Sequence, residues 1–382
     1  MVGTLRNTFF YKSNCMKKRG RVRGGCCIGE PTGYIRRLRR GISIELVLIL
    51  ALLLIGKGKT STTERSFPTS NVNTSSVEEE YIKWVDFNVS YEALCDAYDW
   101  DADTHGTAHE VPWIELLAYT AAVTGGTFDK EALKILNETA GKVSKGEASV
   151  NELGKALKYY PYYMEAYTAV LGGMVGEFEE EAVDENGKSK FVKKYGLKAY
   201  FPLAKGFDYN HYDDFGAGRS YGYKRKHLGH DMMGQTGTPI IAVESGVIEA
   251  IGWNQYGGWR IGVRSFDGLR YYYYAHLRQN YPYADGLEEG SVVTAGDVIG
   301  YMGHTGYSAK ENVNNIDVTH LHWGLELIFN EERRADGYEI WVDVYPLTRF
   351  LAKHRQQAEK VEGTKHWVRS TGIVDPVVEK MQ

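Results

Sequence analysis

The sequence predicts a multidomain α+β chain, with an N-terminal membrane anchor, a helical middle domain and a C-terminal antiparallel β domain. Three observations carry this reading. An apolar run at residues 42–55 follows a strongly basic arm. Apolar residues at helical spacing, punctuated by capping residues, dominate from Glu78 to about Glu181. After Lys190, short β-branched and aromatic runs alternate with glycine-rich turns.

The N-terminal region divides into a basic arm (1–41), an apolar segment (42–56) and a linker (57–77). Residues 1–59 hold 13 of the 45 Lys and Arg but 2 of the 49 Asp and Glu, which leaves the remainder at −15. An acidic body argues against a nucleic-acid binder, which presents a basic face. The basic arm has a simpler explanation in the apolar run that follows it. As a helix, residues 42–55 span about 21 Å of a hydrocarbon layer about 30 Å thick. Glu45 then lies at the headgroup level, and Lys57 and Lys59 snorkel at the far end. Arg36, Arg37, Arg39 and Arg40 place the N-terminal side in the cytoplasm and the rest of the chain outside the cell membrane, as a single-pass protein. Secretion after cleavage of a signal peptide is the alternative. Cys15, Cys26 and Cys27 fall on the cytoplasmic side, and Cys95 alone lies beyond the apolar run. The Ser/Thr-rich linker buries too little apolar surface to fold.

Residues 78–185 read as a helical domain. Pro112 suits a first helical turn, with Trp113, Leu116, Leu117 and Ala121 following at helical spacing. Asp129 caps a helix over 130–140, and Ser149 with Glu152 forms a capping box that opens a helix over 150–158. Tyr159, Tyr160, Tyr162 and Tyr163 interrupt the pattern, which resumes over 164–175. These tyrosines are read as core packing, with stacking on sugar rings as the alternative. His105 and His109 stand four apart, but the loop-like residues around them favour exposed histidines over a metal pair.

Residues 186–350 read as the β domain, with strand-like runs at 239–244, 246–252, 259–264, 269–276, 290–303 and 319–329. Asp267 and Gly268 mark a hairpin turn. Tyr345 and Pro346 open a helix to about Lys360, and residues 351–382 are the C-terminal helix and tail.

The residues that carry chemistry lie in three phrases of the β domain: His227-Leu228-Gly229-His230-Asp231, Tyr274-Ala275-His276-Leu277 and His320-Leu321-His322. Histidine and aspartate supply the nitrogen and oxygen donors of a hydrolytic zinc site, which uses three and leaves one position open. Residues i, i+2 and i+4 of a strand share a face. His227 and Asp231 can therefore converge, and so can His320 and His322, while His230 falls on the opposite face. No His-Glu-x-x-His helix is present. Gly300, Gly303 and Gly306 lack the Lys-Ser/Thr ending of a phosphate loop.

From about Phe201 to Phe350 the chain resembles the lysostaphin/LytM-type zinc endopeptidases of bacterial cell walls. The resemblance rests on His227-x-Gly229-x-Asp231, on Tyr274-x-His276-Leu277, on Gly290, Val293, Gly296, Ile299, Gly300, Gly303, Thr305 and Gly306 at the family's spacing, and on His320-x-His322. It implies a LytM-like antiparallel β peptidase domain with its site in a groove. It implies Zn2+ held by His227, Asp231 and His322. His320 would be the general base, and His276 would orient the attacking water or stabilise charge on the carbonyl oxygen. Tyr221 matches a tyrosine that steadies the transition state in some members, with Tyr223 a competitor for that role. The expected function is a membrane-anchored metalloendopeptidase acting on peptidoglycan peptides, with the helical domain as a candidate contact surface for envelope proteins. The alternative is a scaffold or activator in a cell-envelope or sporulation complex. The intact set of five residues favours the enzyme.

Overall fold

Five helices open the described part of the chain, residues 82–220 and 224–381 of a computed structural model. They are α1 (Tyr91–Thr104), α2 (Trp113–Thr124), α3 (Lys130–Val143), α4 (Val150–Lys155) and α5 (Tyr160–Leu171). Side-chain caps set three of the starts. Ser90 accepts from the Ala93 amide, Asp129 from those of Glu131 and Ala132, and Ser149 from that of Glu152. Pro112, which has no amide to satisfy, precedes α2, and the buried Asp101 carboxylate accepts from the Trp113 amide at 2.8 Å. Leu116, Leu117, Ala118 and Ala121 of α2 are fully buried, so this helix is the centre of the bundle. Tyr160 and Pro161 start α5 rather than interrupt a helix, and Tyr160, Tyr163 and Tyr167 pack into the core.

The helical reading fails after Leu171. Residues 175–181, expected to continue a helix, form strand β1 (Val175–Val183), which pairs in register with β2 (Ser189–Leu197). Glu177, Glu179, Glu180 and Glu181 favour a helix locally, but Gly172 and Gly173 end α5. The facing strand then offers a full antiparallel ladder, with Glu179 opposite Lys193 and Glu180 ion-paired to Lys194. Tertiary pairing outweighs the local preference.

The chain continues through β3 (Asn210–His211), β4 (Gly218–Arg219), β5 (Arg225–Lys226), β6 (His230–Met233), β7 (Pro239–Ile241), β8 (Gly246–Asn254) and β9 (Gly258–Ser265). It goes on through β10 (Arg270–Ala275), β11 (Val292–Val293), β12 (Val298–Tyr301), β13 (His320–Leu327), α6 (Glu331–Ala335), β14 (Ile340–Val342) and α7 (Tyr345–Leu351). The main sheet has eight strands in the order β11-β8-β9-β10-β13-β6-β3, with β14 also on β13. In β13 and β10 alternate side chains separate cleanly. Leu321, Trp323, Leu325, Tyr272 and Tyr274 are buried in the core, and His322, Tyr271 and Tyr273 line a groove on the other face.

The helix expected to run to Lys360 ends at Leu351. Beyond it come β15 (Ala358–Lys360), β16 (Trp367–Arg369), β17 (Ile373–Val374) and the short α8 (Pro376–Glu379). The segment after α7 is held against residues 199–207. The His354 ring donates to the Ala199 carbonyl at 2.8 Å, the Lys205 amide donates to the Gln356 carbonyl at 2.8 Å, and the Arg355 guanidinium reaches the Ala204 and Phe207 carbonyls. β17 then adds to the edge of β1.

The helices and the main sheet meet across the sequence boundary near residue 185. Both fall in one compact unit, and one hydrophobic core runs through them, from Leu94 and Leu117 to Trp323 and Phe350. Arg270, 1% exposed, fastens the two together. Its guanidinium pairs with Glu244 (2.7 and 3.0 Å) and Asp267 (2.6 Å), and donates to the Thr168 and Ala169 carbonyls near the C-terminus of α5 (3.3 and 3.1 Å). A cation there also complements the helix dipole. Among the described residues no helix is long and apolar enough to cross a membrane. The basic arm, the apolar segment at 42–56 and the linker lie outside the described residues.

Arg270→Ala leaves the buried Glu244 without its ion-pair partner, with the Tyr272 hydroxyl still donating to it, and removes the tie to α5. It is expected to cost about 3–5 kcal/mol, read as a lowered midpoint in urea unfolding. Arg270→Ala combined with Glu244→Ala should cost less than the sum of the two single changes.

Candidate metal centre

The site is assembled by the pairing of β13 with its two neighbours. His322 lies opposite Asp231 of β6 on one side and opposite Ala275 of β10 on the other. Directly opposed residues of an antiparallel pair share a face, so this register alone brings an imidazole and a carboxylate together. His227 arrives differently. It lies after the two-residue β5, outside any strand, and the chain bends at Gly229 before β6 begins. A continuous strand over 227–231 is therefore not what brings His227 to Asp231. A Cβ at Gly229 would sit 2.6 Å from the His322 ring, so glycine is required there by close approach.

Three donor atoms meet at one point. His227 Nε2 is 3.0 Å from Asp231 Oδ1 and 2.9 Å from His322 Nδ1, and His322 Nδ1 is 2.9 Å from Asp231 Oδ1. His227 Nδ1 faces the Asp214 carbonyl at 3.3 Å and the Asp214 carboxylate at 3.2 Å. Both of those are acceptors, so Nδ1 carries the proton and Nε2 presents a lone pair. That lone pair faces a carboxylate oxygen, an arrangement of two acceptors that asks for a cation between them. One ion binding nitrogen and oxygen at about 2.0–2.2 Å is within reach of all three atoms. The set fits zinc by its chemistry: two imidazoles and one carboxylate, with room on the groove side.

Sequence reading missed the residues that hold these donors in place. Asp214 fixes the His227 tautomer. Arg219 bridges the Asp214 carboxylate (2.6 Å) and Asp231 Oδ2 (3.0 Å), which leaves Oδ1 to face the centre. Ion-pair partners this far from the motif leave no spacing signal. Outer partners of this kind orient metal ligands. Burial opposes ionisation of Asp231, but the surrounding imidazoles of His227, His322 and His320 outweigh it and hold the carboxyl well below its usual range. Burial pushes His322 down, against the pull of Asp231.

His276 and His320 lie beside this cluster, their rings 4.7 Å apart. The His320 Nδ1 donates to the Val318 carbonyl at 2.8 Å, and its Nε2 is 3.9 Å from Asp231 Oδ1. The His276 Nδ1 donates to the Thr305 carbonyl at 2.9 Å. Strand parity would send His276 to the core face, next to Tyr274. A left-handed backbone at φ +63° interrupts the alternation, and Ala275 and His276 both line the groove. The conformation is held by bonds from the His276 amide to the Gly257 carbonyl (2.7 Å) and from the Gly303 amide to the His276 carbonyl (3.0 Å). Burial, then the nearby His320 and His322, push the His276 imidazole well below its usual pKa.

His230 points away, as parity predicts, but it is not a minor residue. It is 1% exposed, lies 2.9 Å from His211 and packs on Tyr345. Burial and the neighbouring His211 push it down to about 3. Tyr221 and Tyr223 lie outside the described residues. His105 stacks on Tyr195 and faces Glu110, while His109 is exposed.

The groove has a volume of about 500 Å³. Its floor is cut by pairs of glycine and aromatic residues. Tyr271 occupies the space a Cβ would take at Gly262, the Tyr273 hydroxyl does so at Gly257, and Trp341 does so at Gly324.

This geometry sets three candidate metal ligands and two further histidines on one face of an antiparallel sheet. The chain matches the model of Peptidase family M23 over residues 225–334. It is similar to the L-Ala–D-Glu endopeptidase of Bacillus subtilis (strain 168), 34% identical over 182 residues, which cover 45% of this chain and 52% of that protein. It is also similar to lysostaphin of Staphylococcus staphylolyticus, 37% identical over 89 residues, covering 23% of this chain and 18% of that protein. The chain thus spans about half the length, or less, of these curated relatives. A solved lytM structure from Ruminococcus gnavus ATCC 29149 aligns with 71% of this chain and 91% of its own, at 23% identity and a TM-score of 0.47.

His322→Ala should abolish stoichiometric zinc in the full-length chain, measured by elemental analysis. Gly229→Ala should lower zinc affinity although it changes no donor atom. His230→Ala should keep zinc but lower stability by roughly 1–3 kcal/mol, in contrast to a solvent-facing histidine.

Proposed function

We propose that the chain is a membrane-anchored zinc metalloendopeptidase that hydrolyses peptide bonds in peptidoglycan. The observation that carries the chemistry is the orientation of five side chains around one end of the groove. Three offer donor atoms to a single point, and two histidines beside them have their Nδ1 atoms tied to backbone carbonyls. The substrate class rests on the M23 match and on similarity to relatives named as endopeptidases.

His227, Asp231 and His322 would hold the zinc, which when bound polarises a carbonyl and makes water acidic near neutral pH. His320, with its proton fixed on Nδ1, presents a lone pair at Nε2 and serves as general base for the attacking water. His276 is fixed in the same tautomer. A neutral imidazole bound this way accepts at Nε2 and does not donate, which supports orientation of the water over stabilisation of the carbonyl oxygen. Asp214 and Arg219 act through the ligands, holding the His227 ring and the Asp231 carboxylate in place.

Anchoring rests on the sequence alone: the apolar run at 42–55 behind a cluster of arginines. A reporter fused after Gln382 is expected to be active only outside the cytoplasm. A soluble form starting near Lys57 would instead identify a cleaved signal peptide.

The chemistry is tested by release of new amino groups from purified peptidoglycan. His320→Ala and His276→Ala should each retain zinc and lose about 100- to 10,000-fold in rate. A zinc-loaded wild type that releases none would overturn the enzyme in favour of a scaffold.

A further inference from the structure

Resting on the reading above, we propose that Arg260 forms an anion subsite in the groove and selects peptides with a free carboxylate near the scissile bond. Five cationic side chains line the groove against three carboxylates. This excess stands on a body whose net charge, beyond residue 59, is −15. A cationic cleft in an acidic body concentrates anionic ligands.

Most of the cations already have partners. Arg219 holds Asp214 and Asp231. Arg334 holds Glu326 and Glu249. Arg225 donates to the Tyr307 hydroxyl at 2.7 Å. Lys226 is exposed. Arg260 differs from all of these. It is half-buried and lines the groove, and it makes no side-chain hydrogen bond or ion pair with the described residues. Its Nε is buried without an acceptor. An unpaired buried donor carries a free-energy cost, and the planar guanidinium fork matches a carboxylate taken side-on through two parallel hydrogen bonds.

Position ties Arg260 to the reacting centre. β9 pairs with β10 with Ile261 opposite Tyr274, so Arg260 is next in register beside Ala275, which lies opposite His322. Two strand spacings separate the Arg260 backbone from that of His322, about 10 Å. An arginine side chain covers much of that span, so the carboxylate it binds belongs to a residue next to the cleaved bond or one further along.

The test uses the full-length zinc-loaded chain and two peptides identical except that one carboxylate beside the scissile bond is free in the first and amidated in the second. Wild type should prefer the free acid by about 10- to 100-fold in kcat/KM. Arg260→Gln should erase the preference while keeping zinc content, and Arg260→Lys should restore part of it. Equal rates on both peptides in wild type, or a preference that survives Arg260→Gln, would overturn the subsite and leave the peptidase reading intact. If wild type cleaves neither peptide, the peptidase reading fails. Calorimetric binding of the same two peptides then decides the subsite, with weaker binding of the free acid to Arg260→Gln supporting it and equal binding refuting it.

Discussion

The register of β13 between β6 and β10 is the constraint on which the site depends. His322 is opposite Asp231 and Ala275, and Trp323, one residue on, is fully buried. Strand side chains alternate with a period of two, so a slip of one residue would move Trp323 into the groove and His322 into the core. The buried face therefore fixes the reactive face. Leu321, Trp323 and Leu325 hold the strand in place by burial, and the same choice aims His320 and His322 at the solvent-filled side.

A second layer of control comes from residues with no chemistry of their own. Gly229 lets the His322 ring lie against the backbone. Gly257, Gly262 and Gly324 are each overlain by an aromatic side chain, so the rings cover the sheet where a strand would otherwise be weak. The groove is thus cut by pairing absent side chains with large ones. The left-handed His276 is fixed by backbone bonds on both sides.

Much of this was legible in the sequence because it follows periodic rules. The caps at Asp129 and Ser149, the strands over 246–252 and 259–264, and the shared face of His320 and His322 come from local patterns. What was not legible depended on partners far along the chain. The glutamate-rich stretch of β1 looks helical until it meets β2, and the helix after Tyr345 stops where residues 199–207 capture its continuation. His276 departs from parity through a backbone conformation that no residue type announces. Asp214 and Arg219 join the site through ion pairs across a loop, with no spacing signal to mark them. For His230, parity says which way the side chain points and nothing about what it packs against, so its contact with His211 leaves no mark in the sequence.

The Arg270 cluster bears on modularity. Its guanidinium is shared between two acids of the β region and the carbonyls at the end of a helix from the preceding region. Excising the sheet as a cassette would strand a buried charge whose remaining contacts were set by a neighbour no longer there. Grafting it behind an unrelated helper would demand a replacement acceptor in the same place. The helical bundle is therefore an obligate co-author of the catalytic sheet, and the two are expected to be inherited, lost or exchanged as a single unit.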